Sequence, residues 1–172
     1  MTRALPALAC IAIAVFPSAA VAGPIEGRSP VKVDLPVRDA KIGPNGLAVP
    51  PPGAPEKVVQ IIEAGNRIAT KPYKYGGGHG IWEDSGYDCS GSVSYALHGA
   101  GLLDVALDSS GVAGFGKPGA GRWVSLMGNP GHAYLVVAGL RFDTSSSKQT
   151  GNRWTTQMRS PAGYVVRHPQ GL

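Results

Sequence analysis

Cys89 stands between Asp88 and Ser90 in the stretch GYDCSGSVSYAL, where a glycine-rich segment gives way to helical periodicity. Val93, Ala96, Leu97 and Ala100 recur at one-turn spacing, which predicts a helix that opens near Cys89 and stops at Gly99 and Gly101. A thiol at a helix start meets unpaired backbone N–H groups and the positive end of the helix dipole, and both stabilise a thiolate. Asp88 is the expected N-cap. Its charge slightly opposes the thiolate, while its capping contacts hold the first turn in place. The small neighbours Ser90, Gly91 and Ser92 leave room for a substrate. A structural cysteine more often sits mid-helix on the apolar face, so the position favours a reactive thiol.

A nucleophilic thiolate needs a base that takes and returns a proton, usually histidine. There are four histidines. His98 falls on the far side of the helix that Cys89 opens and cannot reach it. His168, beside Pro169, reads as a surface residue. His79, in the loop YGGGHGIWEDSG, could line a pocket from flexible backbone. His132 opens the apolar stretch HAYLVVAG directly after Gly131, and a strand end is a rigid platform for a base. An ordinary strand-end histidine is the competing reading. A third polar group should orient the imidazole, and Asp143 or Thr144 on the next strand can supply it; the aspartate also stabilises an imidazolium. Cys89, His79, Asp84 and His132 include metal-ligand types, but no pair has the spacing of a closed site, so neither metal nor cofactor is expected.

The elements that must position these groups read as helices first and strands afterwards. The stretch PEKVVQIIEAGNRIAT carries Val58, Val59, Ile61, Ile62, Ile68 and Ala69 on an amphipathic pattern behind Pro55, and the Cys89 helix is the second. The glycine-rich LLDVALDSSGVAGFGKPGAG is expected to loop around a short helix capped by Ser109 or Ser110. From GRWVSLMG the period becomes two; GHAYLVVAGL and LRFDTS form a hairpin, residues 145–160 are polar and turn-like, and GYVVRH is a last short strand. This order implies α+β, with helices packed on an antiparallel sheet.

The chain has 172 residues and a formal charge of +5, with 25 glycines and 15 prolines. Residues 1–22 have a short basic start at Arg3, an apolar run broken by Pro17, and small residues Ala20-Val21-Ala22 at a cleavage position, the pattern of a signal peptide. A membrane anchor is the competing reading, but the apolar run is shorter than the ~20 residues a spanning helix needs. Cys10 lies inside that run, a poor match for lipid acylation. Cleavage removes Arg3 and Cys10, lowers the charge from +5 to +4, and leaves Cys89 alone. Exported proteins commonly pair their cysteines, so a lone one is an intermolecular bridge, an inert buried thiol or a group held for chemistry. Residues 23–55 are Pro- and Gly-rich and read as a linker or arm, with the domain spanning 56–172. Lysines and arginines are dispersed, which argues against nucleic acid.

Taken together, PYKYGG, YDCSGSVSYAL, GHAYLVVAG and RFDTSS resemble the NlpC/P60 cysteine peptidases, papain-like hydrolases of bacterial cell-wall peptides. The resemblance covers about residues 56–168. It implies Cys89 as nucleophile, His132 as base, Tyr73 as an oxyanion-pocket tyrosine, and Asp88 and Ser90 as residues shaping a pocket for the substrate's free amine. It further implies cleavage of the D-γ-glutamyl–diamino acid amide of peptidoglycan stem peptides. With the signal-like start, the expectation is a secreted or periplasmic monomer that needs no cofactor. An amidase or acyltransferase on the same Cys-His site, or a catalytically silent envelope-binding module, are the alternatives. Two departures stand out. GHGIWEDS adds residues between the tyrosine motif and the cysteine, and a gapless count of the family's spacing lands the third catalytic position on Thr144. A bulge in the hairpin would bring Asp143 there instead, and Asp143 is the expected residue on chemical grounds.

Overall fold

The computed structural model describes residues 40–172. The signal peptide expected at 1–22, and the arm as far as residue 39, lie outside the described residues. Within the stretch read as linker, residues 40–55 form structure. Strands β1 (Lys41–Ile42) and β2 (Ala48–Val49) pair as an antiparallel hairpin. The hairpin docks on α1 (Glu56–Ile68) through Asn66, whose side chain donates to Ala48 O and accepts from Ala48 N–H, both at 2.9 Å. The packed unit thus extends to at least Ala40, whose N–H donates to Ala138 O. Proline and glycine content alone does not register this docking, because one asparagine supplies it.

Helix α1 buries Val58, Ile61, Ile62 and Ile68 completely or nearly so, the stripe its periodicity predicts. Helix α2 (Cys89–Gly99) lies against it and buries Val93, Ala96 and Leu97. Helix α3 (Ser109–Gly114) is capped by Asp108, which accepts from Gly111 N–H at 2.6 Å, not by Ser109 or Ser110. The strands follow as β3 (Lys117–Pro118), β4 (Val124–Asn129), β5 (His132–Val137) and β6 (Leu140–Phe142). Helix α4 (Thr144–Thr150) and β7 (Trp154–Thr155) occupy the segment read as turn-like, and β8 (Val165–His168) closes the chain. The six-stranded sheet runs β3-β8-β4-β5-β6-β7, antiparallel throughout, so the fold is α+β as the element order implies.

Alternation along the strands divides the sheet into two faces. Val124, Leu126, Ala133, Leu135, Val137, Leu140 and Phe142 join the helices in the main core. Met127, Tyr134 and Val136 turn the other way and pack with Tyr164. Beneath α1 and α2 lies Arg153, fully buried and without a carboxylate partner among the described residues. It donates to the carbonyls of Ile68, Lys71, Pro72 and Tyr87 and to Ser92 Oγ. Burial lowers its pKa to about 10, which leaves it cationic at neutral pH.

The start of α2 is fixed by two glycines. A Cβ on Gly91 would stand 2.0 Å from Gly77 O, and one on Gly77 would stand 2.2 Å from Gly86 O. Gly77 O in turn accepts from Asp88 N–H at 3.3 Å. The loop preceding the helix therefore lies directly on its first turn. Gly91→Ala should force this loop away and cost about 1–3 kcal/mol, the range for overpacked sites; thermal denaturation of the variant should show a Tm several degrees lower.

Candidate active site

Three of the residues singled out in the sequence meet at one place. Cys89 is the first residue of α2, and Asp88 caps the helix with a 2.7 Å bond from Gly91 N–H. His132 is the first residue of β5. Asn129 holds it there by accepting from both Gly131 and His132 N–H at 2.9 Å. Asp143 follows β6 and caps α4, accepting from Ser145 N–H at 2.8 Å.

His132 Nε2 donates to Asp143 Oδ1 at 2.9 Å, leaving its other nitrogen for Cys89. The hairpin needs no bulge for this. Leu135, Val136 and Val137 pair in order with Phe142, Arg141 and Leu140 around a two-residue turn at Ala138-Gly139. Extending that register by one residue sets Asp143 opposite Tyr134, on the same face as His132 and diagonally within its reach. Thr144 alternates away; it is buried, opens α4 and forms part of the cleft wall.

The electrostatics run in one direction from Asp143. Its side chain is wholly buried, and burial alone would raise its pKa. The His132 bond and the donors from Ser145 outweigh that and hold the carboxyl well below the usual range. Arg159 Nη1 lies 3.2 Å and Arg141 Nε 3.6 Å from Oδ2. Burial likewise lowers the pKa of His132, but the bond to Asp143 and contact with Cys89 bring it up to about 9. For Cys89, burial pushes the thiol up. The hydrogen bonds from His132, Ser109 and the Ala133 N–H reverse this and lower it to about 7. Between these two values the pair exists as thiolate and imidazolium.

Ser109 was picked from the sequence only as a helix cap, not as a neighbour of the thiol. With Asp108 as the cap of α3, its hydroxyl is free to stand 3.5 Å from Cys89 Sγ. Arg141, Arg159 and Tyr164 were also missed; nothing near them in the chain marks them for the site, and only the fold brings them to Asp143. His79, expected on flexible backbone, is pinned, with Nε2 at 3.0 Å from Asp88 Oδ1 and 3.3 Å from Ser90 Oγ. Asp88 Oδ2 accepts from Gly76 N–H at 3.1 Å, so both carboxylate oxygens are engaged. Among the described residues, no three histidines, cysteines or acids cluster as metal ligands; Asp84 pairs with Lys74 instead.

A cleft with two lobes opens on the thiol. The lobe toward α3, about 350 Å³, is lined by His79, Asp88, Ser90, Asp108 and Ser109. The lobe toward α4, about 330 Å³, is lined by His132, Thr144, Ser145, Lys148, Arg159 and Tyr164. Tyr73, Cys89 and Gly131 border both. Burial first, then the charges of Cys89 and Asp88, raise the pKa of Tyr73, so its hydroxyl stays a proton donor.

No family model matches the chain, and no curated protein matches its sequence. Among solved structures, the peptidoglycan hydrolase RipB from Mycobacterium tuberculosis superposes with a TM-score of 0.50 at 24% identity. This chain shares its fold with RipB. The alignment covers 66% of this chain and 64% of RipB, so the chain spans less than two thirds of that relative.

The alkylation rate of Cys89 with iodoacetamide should rise with pH around a midpoint near 7, well below the ~8.5 of a free cysteine. Asp143→Asn removes the charge that keeps His132 protonated. The thiolate then loses its cation, and the midpoint should move upward. Peptide mapping by mass spectrometry reads the modification at Cys89 itself.

Proposed function

We propose that the chain is an exported cysteine peptidase that hydrolyses amide bonds in peptidoglycan stem peptides, at the D-γ-glutamyl–diamino acid linkage. The observation that carries this reading is the Cys89–His132–Asp143 arrangement, with the thiol at a helix N-terminus on the floor of a two-lobed cleft. The fold shared with a peptidoglycan hydrolase and the motifs around Cys89 and His132 support the cell-wall substrate. The signal-like residues 1–22 support export, and no helix among the described residues is long and apolar enough to cross a membrane.

In this mechanism the Cys89 thiolate attacks the amide carbonyl carbon, and the carbonyl π electrons move onto oxygen. The oxyanion forms beside the N–H groups that open α2 and the Tyr73 hydroxyl, donors already placed before the charge develops. As the C–N bond breaks, the His132 imidazolium gives its proton to the leaving nitrogen, and an acyl thioester remains on Cys89. Neutral His132 then takes a proton from water as it attacks the thioester; the acid leaves and the thiolate–imidazolium pair is restored. Asp143 keeps its charge throughout and holds the ring by Nε2.

Digestion of purified sacculi tests the reading. The wild type should release soluble muropeptides with newly exposed diamino-acid amines, identified by mass, and Cys89→Ala should release none. Equal release by both proteins, or none by either, overturns it. The pH dependence of kcat/KM is a separate check. Activity should rise as Cys89 deprotonates through about 7 and fall as His132 loses its proton through about 9.

A further inference from the structure

We infer that the lobe beside α4 receives the leaving half of the substrate as an amino-acid residue bearing a free carboxylate, held by Lys148 and Arg159. The inference rests on the hydrolase reading for its direction. His132 lines this lobe and not the one toward α3, and the group that protonates the leaving nitrogen must stand beside it. The departing amine and whatever it carries therefore lie on the α4 side, and the acyl half on the side of Asp88 and Ser90.

Charge then describes what each half carries. On the α4 side, Cys89 and Asp143 supply two negative charges, while His132, Arg141, Arg159 and Lys148 supply four positive ones. The lobe is thus electropositive even with the thiolate formed. Arg159 makes its bonds to Asp143 and Ser145 through Nη1 alone. Its guanidinium is braced at 5.3 Å over the rings of both Tyr134 and Tyr164, and the side chain is about a third exposed and lines the lobe. Lys148 leans over the Tyr73 ring at 5.5 Å and forms no ion pair among the described residues. A guanidinium braced over two rings and an ammonium without an ion pair, lining the same lobe, fit a carboxylate. The opposite lobe presents Asp88 and Asp108. The cleft is therefore polarised along the substrate, acidic on the acyl side and basic on the leaving side.

Paired peptide substrates test this, one with the leaving residue's carboxylate free and the other with it converted to a carboxamide. Wild type should favour the carboxylate in kcat/KM by roughly tenfold or more, chiefly through KM, as expected for a charge-assisted contact. Lys148→Gln should shrink that ratio, and Lys148→Glu should abolish or invert it. Amidating the α-carboxylate and the side-chain carboxylate of a diamino acid separately shows which one the site takes. A binding measurement keeps the outcome independent of turnover. Cys89→Ala titrated with the leaving-half amino acid and its carboxamide should show the same preference by calorimetry, again reduced in the Lys148→Gln background. Equal affinity for the two, no binding of either, or a preference untouched by Lys148→Gln overturns the inference. Retained binding preference with no cleavage of any substrate overturns the hydrolase reading instead.

Discussion

A carboxylate sealed from water sets the terms for the rest of the site. Asp143 is ionised in a place where burial opposes ionisation, so the surrounding atoms must supply what water would. They do so with His132, a backbone N–H and two guanidiniums. Each of these partners is constrained in return. His132 is fixed in ring orientation and kept protonated, which makes it the counter-charge for Cys89. Arg159 is drawn inward from an otherwise irregular segment and becomes a wall of the cleft. Ionisation of the thiol is thus set through two contacts, from a buried acid that holds the intervening histidine charged.

The other half of the arrangement is steric. Cys89 reaches its place because a glycine loop is pressed against the first turn of α2, an approach that tolerates no Cβ at Gly77 or Gly91. The same loop carries Tyr73 and His79 to the cleft rim. The Asp88 cap, Tyr73 and the Cys89 thiol are therefore set by one packing contact, while His132 and Asp143 are set by one hairpin. The Ala133 N–H, donating to the thiol, is the point where these two units meet.

Much of this was legible in the sequence where local pattern and tertiary outcome agree. The apolar stripe of α1, the start of α2 at a capped cysteine and the strand opened by His132 follow from periodicity and capping chemistry. Between Asp143 and Thr144, alternation along the strand determines which one bonds His132, and it is Asp143. His132, Tyr134 and Asp143 share a face only in the observed register. The parts that were not legible depend on single side chains acting at long range. Asn66 docks a hairpin that composition describes as linker, and the short polar α4 owes its existence to the Asp143 cap instead of any apolar stripe. Arg159 has no marker near it in the chain because its partner Asp143 lies in a different part of the sequence, after β6.

Arg153 places a limit on how the cleft can move. One planar group bonds to the end of α1, to the strand of chain leading into Tyr73, to the residue preceding the Asp88 cap, and to α2 itself. Pulling any one of these away would strand a buried cation with unmatched donors, so the four segments share a single displacement. The wall that carries both tyrosine and thiol can only travel as one body. Any change in the shape of the cleft is thereby left to the side chains at the rim, above all to Lys148 on α4.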